Sequence, residues 1–177
     1  NDLSFSAGIL KMDSAQMKNL IEFLNSHDGF HLEELQELVY KVYDEFMTVY
    51  QRLIPALAIQ YCKENSFDFE HEGSTTSSFD SVKQFYLDAY EALGNLLVIP
   101  VALNNIKYRS DINAMNPIEK NVNSLEDYIK LTKASRYHFC LDSEVYTSFL
   151  KTLVNAKLRN AIGHNDVEYN SVDQLIT

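Results

Sequence analysis

Hydrophobic positions recur every three to four residues along most of this chain, which predicts helices almost throughout. Asp13 or Ser14 offers an N-cap, and Met17, Leu20, Ile21 and Leu24 then mark a short one-sided helix ending in the Asn25 to Gly29 cluster. The next pattern is the longest. Leu32, Leu35, Val39, Val42, Phe46, Val49 and Leu53 form one stripe, widened by Leu38, Tyr43, Tyr50 and Ile54, with Glu33, Glu34, Glu37, Lys41, Asp44 and Glu45 mostly on the solvated face. Pro55 removes a backbone donor, so a kink is expected there, with helix continuing to Lys63. Ser66 to Ser78 lacks periodicity and reads as an acidic loop.

A second long helix is expected from about Asp80. Val82, Phe85, Tyr86, Tyr90, Leu93, Leu96 and Leu97 give it a wide apolar face, and Val98 to Leu103 is apolar nearly all round, with Pro100 as a second kink. Lys107 to Pro117 reads as a connection. Ser124 caps a shorter helix carrying Leu125, Tyr128 and Ile129, and Ser135 to Cys140 either continues it or breaks off. A last helix is expected from Asp142 or Ser143, through Val145, Phe149, Leu150, Leu153, Val154 and Leu158, to Ile162 or Gly163. The expectation is an all-α helical bundle of about five helices, two of them long and proline-kinked. It forms a single domain over residues 1–177, excised from a longer chain.

Composition narrows the class. At 177 residues, with 46% hydrophobic and 23% charged residues, the chain is long enough to bury a core without metals or disulfides. The longest apolar run, Leu96 to Leu103, is too short for a membrane span and is broken by Pro100. Cys62 and Cys140 form no ligand cluster and read as free thiols of a reducing cytoplasm, and His71, between Glu70 and Glu72, reads as a solvated loop residue. No cofactor or metal is expected.

The net charge of −10 argues against a general nucleic-acid binder, but it is unevenly spread. Residues 1–100 carry 16 acids and 6 bases, whereas residues 101–177 carry 9 of each. Between Val145 and Asn165 there are Lys151, Lys157 and Arg159 and no acid, so a phosphate is not repelled locally there. Lys130, Lys133, Arg136 and His138 form another basic patch, read first as a solvated face.

That acid-free stretch contains Arg159-Asn160-Ala161-Ile162-Gly163-His164. A guanidinium grips an oxyanion in a fork of donors, and an imidazole moves protons near neutral pH. Residues five apart on an ideal helix lie about 140° apart, so Arg159 and His164 do not share a face unless the helix breaks between them. Gly163 is a natural left-handed terminator that would swing His164 back towards Arg159. The alternative is plain: Arg and His are favoured at helix C-termini by the macrodipole alone.

The stretch Leu158 to Asp166 resembles the signature of HEPN-domain ribonucleases, an Arg usually followed by Asn, His or Asp, then a His after four to six residues. Here the gap is four and the second residue is Asn160. The resemblance implies an all-α, metal-independent endoribonuclease that pairs as a two-fold homodimer, so that two motifs build one composite site on RNA. By the same resemblance His164 is the general acid or base, Arg159 binds the scissile phosphate and Asn160 orients one of them. It further implies toxin, phage-defence or RNA-processing roles, with an antitoxin or fused domains as partners. A non-catalytic HEPN-like module that binds nucleotide or protein is the alternative.

Overall fold

The computed structural model describes residues 14–59, 61, 68, 79–117, 121–139, 154–164, 166–170 and 175–176. The protein is all-α. Its helices are α1 (Ser14–Asn25), α2 (Leu32–Ile59), α3 (Phe79–Leu96), α4 (Val98–Arg109), α5 (Leu125–Ile129), α6 (Lys133–Arg136) and α7 (Ala156–Gly163). Strands β1 (Tyr169–Asn170) and β2 (Leu175–Ile176) form one antiparallel pairing, Tyr169 opposite Ile176 and Asn170 opposite Leu175. The chain divides into two compact units, one of Asn1–Val39 and Glu91–Asn155, the other of Tyr40–Tyr90 and Ala156–Thr177.

The first unit holds the main core. Leu20 and Leu24 of α1, Leu35 of α2, the Val98, Val101, Ala102 and Ile106 face of α4, and Leu125 and Tyr128 of α5 are all buried in one cluster. Tyr128 meets Phe139 edge-to-face with ring centroids 5.3 Å apart. Burial pushes the Tyr128 hydroxyl well above the ordinary phenol range. Polar groups tie the loops to this core. Asn105 is buried on α4 and its Nδ2 donates to the Ile112 carbonyl at 2.9 Å. Ser110 ends α4 in the left-handed region at φ 61°, its N–H returning to the Ile106 carbonyl.

Ser124 and Asp127 form a reciprocal cap. The Asp127 N–H donates to Ser124 Oγ at 3.1 Å, and Asp127 Oδ2 accepts from the Asn123 N–H at 3.0 Å. The Asn123 N–H, with the Ser124 hydroxyl, holds the Asp127 carboxyl below its usual range. The α1–α2 turn uses Gly29 at φ 79°, and the His31 N–H donates to Glu34 at 3.1 Å as α2 begins.

Several boundaries differ from expectation, each for a local reason. α2 passes through Pro55 but ends at Ile59, short of Lys63, which lies outside the described residues. Along its stripe Leu35 and Val49 are buried, whereas Tyr43, Tyr50 and Ile54 are exposed. The second long helix is interrupted at Leu97. Pro100 has no N–H to give the Leu96 carbonyl, and the helix resumes as α4 with the Val101 N–H on the Leu97 carbonyl at 3.1 Å. α4 then runs three residues into the expected connection, with Lys107 and Arg109 opposing its dipole. Taken together, Phe79–Arg109 has the length and composition to cross a membrane, but its Val98–Ile106 part is core of the first unit.

The basic patch is a solvated face only in part: Lys130 and His138 are exposed, Lys133 is half-buried and Arg136 is not solvated. Arg136 is buried, its Nη1 donating to the Gly94 carbonyl at 3.1 Å and to Asn95 Oδ1 at 3.0 Å, and its Nη2 to the Ile129 carbonyl. Its guanidinium also lies over the Phe30 ring at 5.1 Å. Lys133 bonds Glu91 and Lys130 bonds Glu126, both at 2.8 Å. Thr132 caps α6 rather than extending α5.

Candidate active site at the end of α7

The candidate residues lie in the second unit. Its aromatic contacts include Phe46 of α2 against Phe85 of α3 at 6.0 Å, and Phe79 stacked on Tyr169 of β1 at 4.6 Å. Val49, Tyr90 and Ile162 are buried within it, and Arg52 of α2 donates to Ser81 of α3.

α7 is shorter than the expected helix. Val154 and Asn155 are not helical, and α7 starts at Ala156, directly after an Asn, a residue favoured at the N-cap position. The expected start at Asp142 or Ser143 lies outside the described residues. Ile162 is the buried residue of α7, while Leu158, expected in the core, is exposed.

Arg159 is half-buried. Its Nη1 donates to Asn160 Oδ1 at 3.3 Å, and its guanidinium sits 6.0 Å from the centroid of the Tyr90 ring. Asn160 and His164 are exposed. The structure therefore joins Arg159 to Asn160, and among the described residues no hydrogen bond links either side chain to the His164 ring.

Gly163 explains why. It is the last residue of α7, and it is not among the glycines at positive φ. A Cβ placed on it would lie 3.6 Å from Arg159 Nη1 and 3.9 Å from Leu87 Cδ2, ordinary contact distances. The left-handed reversal expected at Gly163 is absent. The His164 N–H still donates to the Asn160 carbonyl at 2.9 Å, so the helical bonding pattern persists one residue past the glycine. The chain then turns, with the Asp166 N–H on the Ala161 carbonyl at 2.8 Å. His164 consequently keeps roughly the 140° offset from Arg159 that helical geometry dictates.

The second unit also has a groove of about 450 Å³ lined by residues of α2 and α3, among them Glu45, Asp80, Asp88, Gln84 and Phe85. None of the α7 residues lines it. Its three carboxylates suit it poorly to a phosphate. Among the described residues, no group of three His, Cys, Asp or Glu side chains comes together to hold a metal ion.

Sequence reasoning found the Arg–Asn–His stretch, of which Asn160 and His164 are exposed. It missed the exposed α2 residues, whose three-and-four spacing was legible but merged with the core stripe. Compared with protein-family models, with curated proteins and with solved structures, the chain matches none.

Proposed function

We propose that this chain is a HEPN-like endoribonuclease that needs no metal and cleaves RNA by attack of the substrate's own 2′-hydroxyl. What carries this reading is the presentation of Asn160 and His164 to solvent at one helix end, beside an Arg159 already hydrogen-bonded to Asn160. An imidazole there takes the 2′-hydroxyl proton or gives one to the 5′-leaving oxygen. The new 2′-oxygen–phosphorus bond forms as the 5′-oxygen–phosphorus bond breaks, leaving a 2′,3′-cyclic phosphate and a 5′-hydroxyl. The Arg159 guanidinium binds the scissile phosphate, and Asn160 orients it by occupying one of its donors.

The offset between Arg159 and His164 within one chain bears on how the site is assembled. One protomer does not direct both side chains at the same phosphate, so a partner copy supplies the second half. The reading is therefore a homodimer with a composite site, acting in the cytoplasm, with RNA as substrate. Toxin or phage-defence action, under an antitoxin or fused domains, is the corresponding biological setting.

The test is direct. Purified protein incubated with single-stranded RNA and excess chelator should yield cyclic-phosphate ends, and His164→Ala should lower the rate by roughly 10²–10⁴-fold, the usual contribution of acid–base catalysis. Cleavage that requires Mg²⁺, or that survives His164→Ala, sinks the mechanism. RNA bound without cleavage would instead make the chain a non-catalytic HEPN-like module. The packing of Arg159 on Tyr90 is compatible with that second reading.

A further inference from the structure

Along α2, Tyr40, Tyr43, Met47, Tyr50, Ile54 and Leu57 are each at least 40% exposed, Met47 reaching 66%. Their spacing alternates between three and four residues, the period with which one helix meets the apolar stripe of another. From residue sizes, their exposed parts present on the order of 700 Å², more than the few hundred Å² of apolar patch that a surface usually carries without a binding role. Tyrosine and methionine are also types enriched at interfaces. The side of α2 that packs within the molecule is a different one, where Leu35 and Val49 are buried and Phe46 meets Phe85.

The charges beside the stripe indicate what covers it. At about 100° per residue, Glu33, Glu37 and Asp44 fall within about 60° of Tyr40, along the solvated edge of the stripe. All three are exposed, and among the described residues none has an ion-pair partner. The other acids of α2 are engaged: Glu34 accepts from the His31 N–H at 3.1 Å, and Glu45 pairs with Lys41 at 3.6 Å. The two bases of α2 stand further round the helix. Lys41 lies about 100° from Tyr40, and Arg52, about 120° from it, bonds Ser81 of α3. The opposite edge, with Val39 and Phe46 half-buried, carries no charge. The stripe therefore has one apolar edge and one edge of uncompensated negative charge.

We infer that the α2 stripe docks a positively charged amphipathic helix of a partner protein. The partner's apolar side chains pack along Tyr40 to Leu57, and its Lys and Arg side chains lie against the Glu33, Glu37 and Asp44 edge. Because those acids belong to the N-terminal half of α2, the partner's bases gather at the end of its helix that lies there. A second copy of this chain would bring the same unpaired acids and a net charge of −10, and an anionic membrane is repelled in the same way. The inference is carried by α2 and does not rest on the ribonuclease reading.

The probe is a labelled synthetic helix of three heptads with leucine along one stripe and lysine along one flank, beside a counterpart carrying glutamate for lysine. In anisotropy titrations with the full chain, the lysine peptide should bind at least ~10-fold tighter than the glutamate peptide. Met47→Glu with Tyr50→Glu should weaken lysine-peptide binding at least ~10-fold, although it adds the negative charge that would strengthen a purely electrostatic association. Glu37→Lys with Asp44→Lys should invert the preference between the two peptides. All four side chains are already exposed, so both variants should keep the wild-type circular dichroism spectrum. Equal binding of the two peptides, or lysine-peptide binding undiminished by Met47→Glu with Tyr50→Glu, overturns the inference. A dimer in sedimentation equilibrium that this variant dissociates gives the stripe to a second copy and overturns it too, as does binding to phosphatidylserine vesicles that the variant abolishes. A dimer that survives the variant is built elsewhere and supports a stripe left open to a partner. RNA cleavage is read separately, so loss of the nuclease reading leaves the docking surface standing.

Discussion

At the scale of single residues, His27 shows how one side chain sets a pH dependence. Its Nδ1 lies 2.7 Å from the Phe23 carbonyl, and its Nε2 bonds a carboxylate oxygen of Glu126. Both partners are acceptors, so only the imidazolium, with a proton on each nitrogen, satisfies both. The Phe23 carbonyl, with Glu126, therefore raises the His27 pKa above 6.5. Lys130, with His27, lowers the Glu126 pKa below 4.5. The signs define a window. The His27 contribution is fully present below pH 6.5 and fades as pH rises through the raised value, while the Glu126 contribution is present above pH 4.5 and fades as pH falls through the lowered one. Thermal unfolding should therefore show wild-type stability declining more steeply than that of His27→Gln as pH rises above about 6.5. Parallel profiles for the two proteins would remove His27 as the cause. None of this was legible in the sequence, where His27 was one polar residue in a turn and Glu126 stood 99 positions away. Arg159 and Asn160 differ in that respect, because neighbours in sequence are neighbours on any helix.

Among the elements, Gly94 marks a close approach that periodicity does not reveal. It sits inside α3, where glycine costs about 1 kcal/mol relative to alanine, yet a Cβ there would lie 2.9 Å from Lys133 Cβ at the start of α6. The same approach lets Arg136 Nη1 reach the Gly94 carbonyl and Lys133 reach Glu91. Gly94→Ala should therefore destabilise by about 1–2 kcal/mol despite its better helix propensity, because overpacking against the base of a side chain outweighs that gain. Urea unfolding gives the sign directly, and a more stable variant would show that α6 yields. Helix existence and type were legible for α1 to α5 and for α7, since the apolar period is a local property, but not for the single turn of α6. Boundaries were less so. The interruption at Leu97 comes from an acceptor at Leu96 that a proline four residues on fails to satisfy. Gly163 misled in the opposite direction. A glycine near a helix end predicts a left-handed terminator, but nothing here demands positive φ, and helical bonding carries on to His164.

For the whole molecule, the proposed RNA binding turns on how little positive charge is available for it. The net charge is −10, Lys130 and Lys133 are engaged with Glu126 and Glu91, and Arg136 is buried. The acid-free stretch of residues 145–165 supplies three cations per chain, Lys151, Lys157 and Arg159. Each single-strand phosphate contact contributes about −0.7 to the slope of log affinity against log salt, so a dimer using all six gives a slope no steeper than about −4. Anisotropy titrations of a labelled single-stranded RNA with the His164→Ala form, across a series of salt concentrations, measure that slope without cleavage. A shallow slope fits RNA held at the α7 ends by few phosphates, with selectivity left to base and 2′-hydroxyl contacts. A slope well beyond −4 would require cations outside this stretch and would move the RNA surface away from α7. The acidic groove between α2 and α3 works in the same sense. Its carboxylates repel a phosphate chain that strays from the helix end, so the charge asymmetry that argues against general nucleic-acid binding is what a site reading a few phosphates in one place requires.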